Sequence, residues 1–227
     1  MTDEYHEKYE EVLARLTKAS RDQLRPALSE FLEPYTPAPG AFIDQCYNAP
    51  GNVTARMLHS LHRLVGFADN SGPDELKVFW LCVCAESEVK LSGNDPGGSR
   101  NRVISFFERN VQENDQDLLE TSFKRHLGDD KFFNPNNPNF DPAFPTTLTL
   151  GKIIGVLYSV RNQMVHGYET YGFHFSDDIV PMMNYVDVSG LGKPPEIEIY
   201  AVGISYQKFR GIFVRAGIAC IRKYLCV

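Results

Sequence analysis

The sequence predicts a mainly α-helical bundle with a small β-hairpin insertion near residues 182–202. Three observations carry this. Apolar residues recur at three- and four-residue spacing through most of the 227-residue chain. Strict alternation appears late, where Ile197, Ile199 and Ala201 interleave with Glu196, Glu198 and Tyr200. Hydrophobic residues make up 43% of the chain, the share of an ordinary globular core and too many for a disordered one.

The first thirty residues read as helix. Val12, Leu13, Leu16 and Ala19 share a face, acids crowd the start, and Lys18, Arg21 and Arg25 crowd the end, as the macrodipole favours. Pro26 should kink or restart this helix before Leu28, Phe31 and Leu32, and the Pro- and Gly-rich run 33–40 should stop it. A second helix is expected over 53–67. The third follows Pro73, with Asp74 and Glu75 in its first turn, and is apolar on nearly all sides from Leu76 to Ala85. A helix of that kind belongs at the centre of its domain. Residues 92–98 form a loop, after which Ser99 should cap a fourth helix burying Val103, Ile104, Phe106 and Phe107. The Asn-, Pro- and Asp-rich run 128–145 reads as a long surface loop, a length that suggests a functional insertion. The best helix of the chain runs from just after Thr147 to His166 and stops at Gly167. Strands are expected over 182–188 and 196–202, and a last helix over 206–225. With no repeat and no persuasive linker, 1–227 is expected to be one domain. Its parts are an N-terminal helical extension (1–70), a central helical core (73–168), a hairpin-bearing insertion (171–205) and a C-terminal helix (206–226).

Charge and cysteine usage exclude several classes. A net charge of −6 and a pI near 5.5 do not suit a general nucleic-acid coat, whose affinity comes from Lys and Arg. Local patches could come from Arg100, Asn101 and Arg102 with Arg109, or from Lys124, Arg125 and His126. Each is also readable as a solvated helix face. No apolar run approaches the ~20 residues that span a bilayer. The acidic, polar start is unlike an export signal, which makes cytoplasmic the default location. Cys46, Cys82, Cys84, Cys220 and Cys226 form no C-x-x-C pair, so buried, inert thiols are expected. His59 and His62 stand three apart with no third ligand suggested, and residues 93–98 lack the Lys-Ser/Thr of a phosphate loop. Neither metal nor cofactor is expected.

The chemistry concentrates at the end of the helix that stops at Gly167, read on a wheel from Ile153 to His166. At ~100° per residue, Ile153, Val156, Leu157, Val160 and Met164 form one stripe that should face the core. Asn162 and His166 are four apart and therefore neighbours on the opposite face. Arg161 lies on a flank with Ile154, Tyr158 and Val165. That second, partly apolar stripe needs a cover, either another element of the chain or a second copy across a dimer axis. An imidazole exchanges protons at neutral pH, and a guanidinium fork fits phosphate oxygens. Asn162, a poor helix-interior residue, could orient either of them. RNA carries its own nucleophile in the 2′-hydroxyl, so these three residue types could cleave it. An Arg and a His near a helix end also arise from the macrodipole alone.

Arg161-Asn162-Gln163-Met164-Val165-His166-Gly167 is similar to the signature of HEPN domains, an Arg followed by a polar residue and, after four to six residues, a His. The segment from Phe79 to Ser87 resembles the other core helix of that family, where a Glu follows an apolar run. The likeness covers roughly residues 73–168. It implies a HEPN-like helical bundle and a metal-independent endoribonuclease, often of a toxin–antitoxin, phage-defence or CRISPR-associated system. Arg161, Asn162 and His166 would be catalytic, with Glu86 a buried acid pairing with or orienting them. The likeness further implies a homodimer with two motifs in one composite cleft. In one toxin branch a Tyr two residues after the His is modified by a nucleotidyltransferase antitoxin, and Tyr168 stands there. Gly167 more closely resembles other branches, in which Tyr168 is an ordinary aromatic at a helix end. The alternative to catalysis is a HEPN module that binds RNA or a protein partner.

Overall fold

The computed structural model describes residues 21–125, 146–166, 173–178, 180–186 and 196–225. Its helices are α1 (21–32), α2 (Pro39–Asn48), α3 (Val53–Asp69), α4 (Asp74–Leu91), α5 (Ser99–Asn110), α6 (Glu113–Ser122), α7 (Leu150–His166) and α8 (Tyr206–Leu225). The strands are β1 (Phe123–Arg125), β2 (Thr146–Thr147), β3 (Val180–Val186) and β4 (Glu196–Val202). The chain is mainly helical, as expected.

α4 is the centre. Asp74 and Glu75 in its first turn and Lys90 in its last complement the dipole, and its sides pack against α3, α5, α7 and α8. Leu28, Leu61, Leu81, Phe106, Ile153 and Phe213, from six different helices, are all buried in one continuous core. α3 packs on α4 and α8, so α3, with Leu28 and Leu32 of α1, shares that core with α4, α5 and α7.

Several expectations are refined. The helix continues through Pro26 without a break. Leu28 and Leu32 beyond it are both fully buried, and burying two leucines contributes about 3–6 kcal/mol against about 3 kcal/mol for an interior proline. The Pro- and Gly-rich run does end α1, but Pro39 occupies the first position of α2, which buries Phe42, Ile43, Cys46 and Tyr47. At α5, Ser99 is the first helical residue and not the cap. Gly98 holds the N-cap position at φ 70°, following Gly97 at φ 77°, backbone that favours glycine. α6 buries only Leu119, so it has almost no apolar periodicity to announce it.

The two expected strands occur at Val180–Val186 and Glu196–Val202, paired antiparallel from Val180↔Val202 to Val186↔Glu196. They belong to a larger sheet of order β2-β1-β4-β3. Lys124 and Arg125, expected on a helix face, lie on β1. That strand pairs with β4 on one side and β2 on the other. Because β4 is an inner strand, its last residues, Tyr200, Ala201 and Val202, are all buried and the simple alternation fails there. The loop expected at 128–145 and the turn between the hairpin strands at 187–195 lie outside the described residues.

One contact sets the start of α7, and another fixes the chain beyond it. Glu120 Oε1 on α6 accepts from the Leu150 N–H at 3.1 Å and so caps the start of the helix from thirty residues upstream. After α7, the chain at 173–176 is pinned to the start of α4, where Asp74 Oδ2 accepts from the Phe175 N–H at 3.0 Å. Among the described residues no helix is long and apolar enough to cross a membrane.

Candidate functional site

α7 lies against α4 on one side and α5 on another. Ile153, Val156, Leu157 and Val160 are buried, as their stripe requires, but Met164 from the same stripe is 37% exposed because the core has ended by that turn. The second stripe is covered from within the chain. Ile154 and Tyr158 are buried, with Ile154 meeting Val78, Leu81 and Cys82 of α4. Only Val165, 49% exposed, is left beside Met164 at the helix end.

The same packing brings Arg161 to Glu86. Arg161 Nη2 lies 3.4 Å from Glu86 Oε1, and Nη1 donates to Asn162 Oδ1 at 3.1 Å. Glu86 is buried, and the Arg161 side chain is 18% exposed. The first contact is long for a charge-assisted hydrogen bond, so the guanidinium is tethered more than saturated. Its Nε is buried without a hydrogen-bond partner among the described residues. Two rings flank it, with Arg161 Cζ 5.4 Å from the Tyr158 centroid and 5.9 Å from that of Phe79. Cys82 sits beside this pair. Burial pushes its thiol up to about 12, against the opposing pull of Arg161, so it is inert as a nucleophile at neutral pH.

His166 is the last residue of α7, one turn beyond Asn162 and on the same face by helical phase. The side chain of His166, and Gly167 and Tyr168 entirely, lie outside the described residues. Of the residues singled out from sequence, Glu86, Arg161 and Asn162 are therefore brought together, and the His166 backbone is set one turn away.

Two other features escaped the sequence. Phe79 stands seven residues before Glu86, two turns along the same face of α4, a spacing that could have placed it under Arg161. The seat of Arg100, read from the sequence only as part of a local basic patch, is the second. An ideal Cβ on Gly155 of α7 would come within 3.0 Å of Arg100 Nη2, so the guanidinium lies directly on that glycine. Gly151, one turn earlier, similarly meets Glu108 Oε1 at 3.1 Å. Arg100 near the start of α5 thus meets the later glycine and Glu108 near its end the earlier one, so α5 and α7 run antiparallel.

The paired histidines have structural surroundings. His59 is hydrogen-bonded to the Tyr47 hydroxyl, and His62 packs edge-on to Phe31 at 5.2 Å. Burial lowers the pKa of both. No group of three or more His, Cys, Asp or Glu among the described residues could hold a metal ion. Neither a protein-family model, nor a curated protein, nor a solved structure matches the chain.

Proposed function

We propose that the chain is a metal-independent endoribonuclease of the HEPN class, working as a homodimer in a toxin–antitoxin or phage-defence setting. The observation that supports this most is the guanidinium of Arg161, tethered by Glu86 and Asn162, with His166 one helical turn beyond Asn162. In this reading the His166 imidazole takes the proton of the RNA 2′-hydroxyl. The O2′–P bond forms as the P–O5′ bond breaks, leaving a 2′,3′-cyclic phosphate and a 5′-hydroxyl. The departing oxygen takes its proton from water or from the imidazole of a second copy. Arg161 opposes the charge gathering on the phosphorus oxygens, and Asn162 keeps the guanidinium aimed. The exposed apolar pair Met164 and Val165, at the end of the same helix, supports a second copy docking there. Tyr168 is where an antitoxin nucleotidyltransferase would act.

The test is cleavage of single-stranded RNA in excess chelator by the unmutated protein, His166→Ala and Arg161→Ala. The expected result is cyclic-phosphate product from the first and a loss of at least ~10²-fold in each variant. Equal cleavage by all three proteins, or none by the unmutated one, sinks the proposal.

One observation favours a second reading. Arg161 is largely buried and already paired with an acid, which suits a structural anchor in a non-catalytic module that binds RNA or a protein partner. Glu86→Gln separates the two. An anchor predicts lower stability alone, whereas a catalytic Arg161 predicts an altered pH profile of cleavage as well.

A further inference from the structure

Gly155 shares its face of α7 with the candidate site. At ~100° per residue, Gly155, Asn162 and His166 fall within about 40° of arc, with Gly155 two turns, or about 10 Å, before Asn162. Arg100 lies on that glycine. No carboxylate among the described residues pairs with Arg100, although the protein carries a net charge of −6. A glycine inside a helix costs about 1 kcal/mol relative to alanine, and here any side chain would meet the guanidinium. The line of α7 that ends in Asn162 and His166 is therefore roofed, two turns upstream, by a cation with no carboxylate partner among the described residues.

Arg102 adds to the same neighbourhood. Asp95 binds it in a two-pronged pair at 2.7 and 2.8 Å, and its charge is also coupled to Glu86 and Tyr158. Glu108 over Gly151 ends the run with a carboxylate one turn further up.

We infer that Arg100, seated on Gly155, is a second phosphate-binding position for single-stranded RNA, in line with the Asn162–His166 face. The strand runs along α7 from the helix end towards Gly155 and is bounded by Glu108, whose carboxylate repels a further phosphate. A planar guanidinium with a free fork suits this task better than an ammonium, because it accepts two phosphate oxygens at once. This inference rests on the reading of the Arg161–His166 segment as an RNA site.

The experiment measures binding of a short and a long labelled oligouridylate to the full chain in the His166→Ala background, over a range of salt. Arg100→Ala should weaken the long strand roughly fivefold and lower the slope of log affinity against log salt by about 0.7, one phosphate contact. The short strand, which cannot span from His166 to Gly155, should be unaffected. Arg100→Lys should restore the slope but only part of the affinity. Gly155→Ala, which displaces the guanidinium, should act in the same direction as Arg100→Ala. Lys208→Ala, removing an exposed cation paired with Asp177, is the control for net charge. An unchanged slope in Arg100→Ala, or an equal change in Lys208→Ala, overturns the second position and leaves the RNA site standing. Absence of binding of either strand by the parent overturns both.

Discussion

Glu86 and Glu88 stand two residues apart on α4 and meet opposite circumstances. Glu86 faces Arg161, while Glu88 is fully buried and neither of its carboxyl oxygens has a hydrogen-bond partner among the described residues. The Ser60 hydroxyl nearby is directed at Ser87, 3.1 Å away. Burial disfavours loss of the Glu88 proton and pushes the carboxyl well above its ordinary value of 4.5, tempered by Ser60. The folded state then holds this proton more tightly than the unfolded chain does. Its contribution to stability is fully present below pH 4.5 and declines as pH rises from there toward the raised value. Glu88→Gln should remove that decline from a series of urea unfolding curves taken across pH. Glu88→Leu should raise stability at neutral pH by about 1–3 kcal/mol, because it removes an unsatisfied polar group. A Gln variant with the unmutated pH slope would show that another group carries it.

Among the elements, α3 and α8 meet at Gly217 with no room for a side chain. An ideal Cβ on Gly217 would come within 2.6 and 2.8 Å of the Leu61 methyls, and Leu61 is fully buried with nowhere to retreat. Gly217→Ala gains up to about 1 kcal/mol of helix propensity and loses about 1–3 kcal/mol to overpacking, so net destabilisation is expected. Pairing it with Leu61→Ala should reverse much of that added cost in a double-mutant cycle on unfolding free energies. Purely additive effects would mean the two helices separate freely. Such close crossings are invisible in sequence, whereas α4 and α7 were legible because long apolar runs and first-turn acids or flanking turns marked them. α2 hid behind its own start signal, since Pro39 marks both a chain break and a first helical turn. α6 hid because one buried leucine makes no pattern. At the candidate site, phase alone could align Asn162 with His166. It could not show that α4 would carry Glu86 to Arg161, nor that α5 would lay Arg100 on Gly155, because both depend on how separate helices pack.

At the scale of the molecule, a helical core carries a small sheet that stitches together distant parts of the chain. β1 is flanked by β2 and β4, so residues 123–125 touch both 146–147 and 200–202. The Gly203 N–H also donates to Ser122 O at 2.8 Å, tying the end of α6 to the lead-in of α8. One pairing has a practical corollary. Arg125 is registered with Thr146, so the two ends of the segment 126–145 are held on one rung of the β1–β2 ladder. Replacing 126–145 with a tight Gly-containing turn therefore demands no movement of any helix. A roughly fivefold shorter connection lowers the cost of closing the loop by about 1 kcal/mol. The shortened protein should keep its cooperative thermal transition, with a melting temperature equal to or slightly above that of the parent. Loss of cooperativity would mean the segment is woven into the core. With the transition kept, the β1–β2 rung is an attachment point at which a different sequence could be fitted without rebuilding the rest.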